Sequence, residues 1–210
     1  MEDKKVNQEK WGAKLLEYTL KAVENVRPSS RYMSDSMVFN QFIKIKLINW
    51  EDSSKSAYIN GLVISKNLAD KRMRTDVDNP QILLLKESIS TTVRTVVAGG
   101  EQAGAAGAGL TEIQSIVNQE EHWIGIIRSK LTQVRPNIVI VEKDIGYKIL
   151  DVLREEGIIV ITSLDHHKMK RFQRYTQTII SPSYNVIDKS FVLGKCKKFR
   201  VESPYTGASH

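Results

Sequence analysis

Two features of the chain predict an α/β fold built on a parallel sheet. The first is a set of apolar runs that do not alternate with polar residues: ILLL at 82–85, IVIV at 138–141 and IIVI at 158–161. Strands covered on both faces read this way, whereas a half-solvated strand alternates. The second is the segment DIGYKILDVLREEG between the last two runs. Ile145, Ile149, Val152 and Leu153 recur at helical spacing there, Asp144 is placed to cap the start, and Gly157 is placed to end the helix in the left-handed conformation. Strand, helix and strand in that order form a β-α-β unit, with a right-handed crossover expected.

The remaining elements follow in order. Trp11, Leu15, Leu16, Thr19, Ala22, Val23 and Val26 recur at helical spacing until Pro28, which predicts an amphipathic helix over 9–27. SSRYMSDSM reads as a linker. FIKIKLI from Phe42 alternates Ile and Leu with Lys in the manner of a half-buried strand, and YINGLVIS from Tyr58 reads as another. Gly61 inside that second run marks a bulge or a close backbone approach. A long helix over 111–133 puts Ile113, Ile116, Val117, Ile124, Ile127 and Leu131 on one side, and Pro136 precedes the next strand. GGEQAGAAGAG at 99–109 has neither the lysine nor the spacing of a phosphate-cradling loop and reads as a flexible linker. The predicted organisation is a helical segment over 1–41, a compact domain over 42–202 and a disordered tail over 203–210.

At 210 residues the chain can bury a full core without staples, and its single cysteine, Cys196, permits no internal disulfide. No apolar run reaches the length of a membrane span, and MEDKKVNQEK has no signal-peptide core, so a cytoplasmic location is expected. The net charge of +7, with a pI near 9.4, favours acidic partners or anionic lipid.

Residues for chemistry are sparse. His166 and His167 are adjacent, with His122 and His210 elsewhere, and none forms the spaced pair plus carboxylate of a metal site. Lys195 and Lys197 flank Cys196 and could lower its pKa, although a lone thiol is usually structural. Nucleophile elbow, paired-acid and kinase motifs are absent from the sequence. No catalytic, cofactor-binding or metal-ligating residue is assigned. One stretch does separate its faces. In HHKMKRFQRYT, Met169, Phe172 and Thr176 share one side with Tyr175 beside them, while His167, Lys170, Arg171 and Arg174 share the other. That basic stripe is either a solvated face or a docking surface for acidic protein or anionic lipid.

The order FIKIKLI, YINGLVISKNLADKRM, NPQILLL, NQEEHW, RPNIVIVEKDIGYKILDVLREEGIIVI, TIISP and LGKCKKFRVE resembles the apical region of eukaryotic-type chaperonin subunits. Trp11 with LKAVENVRP, KNLADKRM, NQEEHW, RPNIVIVEK, and LGKC followed by Phe199 make it more similar to the chaperonin-like domain of PIKfyve-type phosphatidylinositol 3-phosphate 5-kinases. NWEDSS stands where that group carries a glycine-rich turn, Arg74 stands where a proline commonly follows the methionine, and SMVFNQF replaces an aspartate-containing lead-in.

The resemblance implies a three-layer β/β/α apical-type fold preceded by a helical segment like part of a chaperonin intermediate domain. Gly61, Lys66, Met73, Pro80, Gly157 and Gly194 fall on its structural motif, with Gly61 approaching closely within the β layer and the basic stretch from Lys66 in an exposed connection, near the chaperonin protrusion. It implies no cofactor and a non-catalytic role: holding the kinase on a HEAT-repeat scaffold protein with a Sac-type phosphoinositide phosphatase, the parent being peripheral on endosomal or vacuolar membranes. The competing reading is the client-binding apical domain of a true chaperonin. A nucleic-acid binder ranks below both, because exposed aromatics do not interleave with the basic residues.

Overall fold

The structure, a computed structural model, describes residues 2–25, 42–47, 56–90 and 108–202, with side chains from Trp11 in the first helix and from Val117 in the long one. The described residues fall into two units, one within 1–63 and the other within 64–202.

The second unit is organised by the apolar runs. They form β2 (Gln81–Leu85), β3 (Ile138–Val141) and β4 (Ile159–Ile161), following a short β1 (Asp76–Asp78). Helix α2 (Ala108–Val134) joins β2 to β3, and α3 (Tyr147–Glu155) joins β3 to β4. After β4 come α4 (His166–Thr176), β5 (Ile180–Ser181), β6 (Gly194–Lys195) and β7 (Lys198–Arg200). The main sheet runs β4-β3-β2-β5, all parallel, and β6 pairs antiparallel with β2 through Ile82 and Gly194. β1 and β7 make a separate antiparallel ribbon. The class is α/β, as the runs and the β-α-β pattern predict.

Leu83, Leu85, Val139, Val141 and Val160 pack with Ile127 and Leu131 of α2 and Ile149 and Leu153 of α3 in one buried cluster. The alternate residues Ile82, Leu84, Ile138, Ile140, Ile159 and Ile161 are buried as well, and α4 lies against β2, β5 and β6 with Met169 and Phe172 buried. Period-2 alternation sends the two sets to opposite faces. Burial of both faces is why the strands carry no polar alternation.

Asn137, just before β3, ties the sheet together at its lower end. Its side-chain oxygen accepts from the Gln81 N–H at 2.8 Å, its N–H donates to the Gln81 carbonyl at 2.9 Å, and its carbonyl accepts from the Ile159 N–H at 2.9 Å. Three parallel strands are thereby held in register by one residue.

The outer edge of β4 is closed by the segment that carries the basic cluster. Ala69 N–H donates to the Val160 carbonyl at 2.9 Å, and the Met73 sulfur accepts from the Val160 N–H at 3.3 Å. Covering an edge strand removes a template for pairing with another chain. Met73 is therefore core, 6 % exposed, while Lys66, Lys71, Arg72 and Arg74 are exposed around it. The basic stretch from Lys66 is thus an exposed connection anchored by one buried methionine. Pro80 is buried at the entry to β2.

Other expectations are also corrected. Asp144 does not cap α3, whose N-cap is Gly146 without a side-chain bond. Asp144 instead accepts from Ser163 Oγ at 2.5 Å, and Ile89 engages the intervening backbone through Ile89 N–H to the Asp144 carbonyl and Gly146 N–H to the Ile89 carbonyl. That bridge delays the helix to Tyr147. At the other end Gly157 meets the expectation, with φ 73°. Its N–H reaches the Arg154 carbonyl and the Ile158 N–H reaches the Leu153 carbonyl, the paired bonds of a Schellman motif. α2 starts at Ala108, earlier than expected, while residues 99–107 of the glycine- and alanine-rich stretch lie outside the described residues, as do the 29–37 linker and the 203–210 tail.

In the first unit, α1 (Glu2–Asn25) is present and begins before residue 9. Tyr18 OH donates to the Ser56 carbonyl at 2.6 Å, and Asn60 Nδ2 donates to Asn25 Oδ1 at 3.0 Å. Ala22 is buried, whereas Trp11, Leu15, Leu16, Leu20 and Val23 are exposed within this unit. Neither FIKIKLI nor YINGLVIS is a strand among the described residues: 43–47 and 56–64 carry no ladder, and Ile45 and Leu47 are 86 % and 87 % exposed. No β ladder includes Gly61 among the described residues. It is exposed in a bend, its N–H donating to the Ile59 carbonyl at 3.0 Å.

Candidate docking face on the basic helix

α4 is defined at both ends by its sequence. The Asp165 side chain accepts from the His167 N–H, satisfying one of the free donors of the first turn, a contact worth about 1 kcal/mol. Gln177, left-handed at φ 54°, ends the helix. Between them Met169, Phe172 and Thr176 are buried as the wheel predicts, and Thr176 Oγ1 donates to the Phe172 carbonyl at 2.7 Å.

His167, Lys170 and Arg174 are exposed and Arg171 is half-buried, so the structure brings the four predicted residues together on the outer side of one helix. Over its length α4 has Lys168, Lys170, Arg171 and Arg174 and no Asp or Glu. His166, which the stripe omits, turns toward the sheet end and meets Glu142 Oε2 through Nδ1 at 3.2 Å.

The C-terminal end of α4 is seated by Gly194. A Cβ on Gly194 would stand 2.7 Å from Thr176 Oγ1, 2.8 Å from Thr176 Cβ and 3.1 Å from Thr178 Cβ. This is the close approach that glycine is needed for. Thr178 Oγ1 then donates to the Val192 carbonyl at 2.8 Å. Beside this junction Tyr175, Ile179 and Val192 remain 46 %, 60 % and 61 % exposed. Sequence reading missed Ile179 and Val192 because single apolar residues in short connections carry no periodic signal.

Two further polar groups bear on chemistry. Burial pushes the Cys196 thiol up, against a weaker opposing backbone hydrogen bond of Lys198. A raised thiol agrees with the structural reading of a lone cysteine rather than with acidification by Lys195 and Lys197. Asp70, bonded first by the Arg72 guanidinium and N–H and then by Arg154, is held well below the usual carboxylate range. A depressed folded pKa stabilises above the ordinary carboxylate value and is lost as pH falls toward the folded one, so this clasp on the β4 edge loosens only in acid. Among the described residues no cluster of His, Cys, Asp or Glu could hold a metal ion, and no helix is long and apolar enough to cross a membrane.

Residues 4–206 match the TCP-1/cpn60 chaperonin family, and the chain belongs to it. A group II chaperonin from Methanococcoides burtonii in its open state matches the fold with a TM-score of 0.50 at 18 % identity, over 71 % of this chain and 29 % of that one. Among curated proteins the chain is similar to the 1-phosphatidylinositol 3-phosphate 5-kinases of Mus musculus and Homo sapiens, each 31 % identical over 192 residues, which is 91 % of this chain and 9 % of the kinase. FAB1, the corresponding kinase of Saccharomyces cerevisiae, is 25 % identical over 197 residues, 94 % of this chain and 8 % of that protein. The resemblance to the chaperonin-like region of these kinases, expected from the motifs, is borne out. The chain spans less than a tenth of these relatives' length.

Proposed function

We propose that the chain is a non-catalytic, chaperonin-type assembly domain of a phosphatidylinositol 3-phosphate 5-kinase. In this reading it holds the kinase on a HEAT-repeat scaffold protein together with a Sac-type phosphoinositide phosphatase, and the outer face of α4 is the docking surface. The parent then works from the cytoplasm, peripheral on endosomal or vacuolar membranes. The observation that carries the reading is the pair of coverages: almost all of this chain matches, and it matches a small part of each kinase. A module of that size within a much longer enzyme suits positioning rather than turnover. The α4 face supports docking because His167, Lys170, Arg171 and Arg174 stand together on a helix without carboxylates, next to exposed apolar side chains.

The test is a pull-down of the scaffold–phosphatase assembly at two salt concentrations with Lys170→Glu, Arg171→Glu and Arg174→Glu combined. Exposed charges are screened over about 8 Å at physiological ionic strength, so binding by the unaltered chain should weaken with salt and the triple reversal should lower it at both. Equal binding by the two proteins would remove α4 from the interface. Phosphorylation of phosphatidylinositol 3-phosphate by the purified chain above a heat-killed control would remove the non-catalytic reading.

A further inference from the structure

We propose that Tyr147 is a tyrosine-phosphorylation site and that the phosphate on it pairs with Arg72, pinning the 64–75 segment onto α3.

Tyr147 is the most exposed of the described tyrosines, at 73 %, and among the described residues its hydroxyl makes no hydrogen bond. Those of Tyr18 and Tyr184 are engaged, the first donating to the Ser56 carbonyl and the second accepting from Trp123 Nε1 at 3.1 Å. Tyr147, Asp151 and Arg154 follow one another at i, i+4 and i+7, so they share one side of α3. That side meets the 64–75 segment. Arg72 Nη2 stands 3.7 Å from Asp151 Oδ1, and Arg154 Nη1 reaches Asp151 Oδ1 at 2.7 Å and Asp70 Oδ2 at 3.1 Å.

Arg72 is the receiving group. Its Nε donates to Asp70 Oδ1 at 3.0 Å and its Nη2 to Asp70 Oδ2 at 2.6 Å, which leaves Nη1 without a contact among the described residues. The pKa of Arg72 is raised first by the bond to Asp70 and further by the charges of Asp70, Asp151 and Tyr147, so a charge on the Tyr147 oxygen is felt at the guanidinium. The planar guanidinium carries five donors and can join two anions at once. A phosphate brings nearly two negative charges and three strong acceptor oxygens, and it forms charge-assisted bonds with such a group. Asp151, one turn beyond Tyr147, opposes the phosphate. It is itself answered by Arg154, and a charge-assisted bond outweighs the like-charge interaction of an i,i+4 pair.

In the transfer the phenolic oxygen of Tyr147 attacks the γ-phosphorus of ATP on a tyrosine kinase. The new P–O bond forms as the bond to the β,γ-bridging oxygen breaks, ADP leaves, and the phenolic proton passes to the kinase's base. Tyr147 is the first residue of α3, and residues 142–146 before it lie outside any helix, so little structure has to open for access. The segment that the phosphate pins is the one that closes the β4 edge through Ala69 and Met73, so phosphorylation tightens the cover of the sheet.

The test uses the 210-residue chain in two forms, one treated with a tyrosine kinase domain and ATP, the other carrying phosphotyrosine encoded at position 147. Mass spectrometry of the treated chain should find phosphate on Tyr147 ahead of Tyr175, and Tyr147→Phe should remove most of the incorporation. Incorporation that is absent, or unchanged by Tyr147→Phe, would overturn the site. In the encoded form the phosphorus NMR resonance should titrate at lower pH than in the same protein with Arg72→Gln, because a neighbouring cation favours the doubly charged phosphate. Trypsin cleavage after Lys71 and Arg74 should be about threefold slower with the phosphate than without it, the size of one exposed ion pair, and Arg72→Gln should remove that protection. If Arg72→Gln loses its thermal transition, Arg72→Lys, which lacks the fork needed to hold Asp70 and the phosphate together, carries both comparisons. Titration curves that do not depend on Arg72, or cleavage no slower with the phosphate, would overturn the pairing and the proposal with it.

Discussion

α1 and α4 read alike in the sequence, each with apolar residues at helical spacing and charged residues between them, and they differ in what lies beneath. α4 lays Met169, Phe172 and Thr176 on the sheet, all buried, and directs its cations outward. α1 buries Ala22 within its unit and leaves Leu16, Leu20 and Val23 63 %, 57 % and 59 % exposed. Periodicity therefore predicts the helix in both cases, but burial needs a surface of matching length. β2, β5 and β6 supply that surface to α4, whereas the neighbouring 56–60 segment covers α1 near Tyr18 and Asn25. Packing of an amphipathic face, rather than propensity, provides most helix stability in proteins.

The largest effect that can break this contrast is at Phe172. Truncating a buried phenylalanine costs about 3–5 kcal/mol, so Phe172→Ala should lower the melting temperature by about 10 °C in calorimetry. A shift as small as that of a surface change would mean that α4 is not seated on the sheet as described.

A second contrast, between two glycines, gives the next effect. Gly61 stands in a strand-like run and Gly194 in a short basic one, and the sequence makes the first the better candidate for a close approach. The structure gives Gly194 a close approach of its own. Gly61 lies exposed in a bend, while a Cβ on Gly194 would collide with Thr176, a β-branched residue whose hydroxyl is already bonded to Phe172. Gly194→Ala should destabilise by about 1–3 kcal/mol, the usual range for overpacking. Gly61→Ala should be neutral or stabilising by up to about 1 kcal/mol through the unfolded state. Urea denaturation of both variants checks the order, and the reverse order would restore the β-layer role for Gly61.

What could be read in advance follows from how many residues carry each signal. The β2, β3 and β4 runs, α3 and its Gly157 terminus, and the two sides of α4 each rest on several residues repeating one period. β5 and β6 are two residues long and β1 and β7 three, too short for any period to show. The sheet edge was hidden for another reason. Ala69 and Met73 close it through one backbone bond and one sulfur contact to Val160, 87 residues further along the chain in the case of Met73, and no local pattern records such a pairing. The candidate face divides in the same way: its cations repeat along a helix and are legible, whereas Ile179 and Val192 become neighbours only through the Thr178 bond. FIKIKLI shows the opposite failure, a full alternating pattern with no partner strand among the described residues.

The smallest effect tests the exposed side of α1. Leu16→Ser with Leu20→Ser removes two side chains that are more than half exposed, and surface changes alter stability by about 0.5 kcal/mol or less. Serine is also a poorer helix former than leucine, so some fraying of α1 is expected in circular dichroism. The melting temperature of the sheet domain should nevertheless move by only about 2 °C. A fall comparable to that of Phe172→Ala would show that the Leu16 and Leu20 side is covered in solution and that the two helices are alike after all. An unchanged transition, with helicity lost only from α1, would establish the difference between them as one of available surface, because both sequences present equally regular apolar spacing.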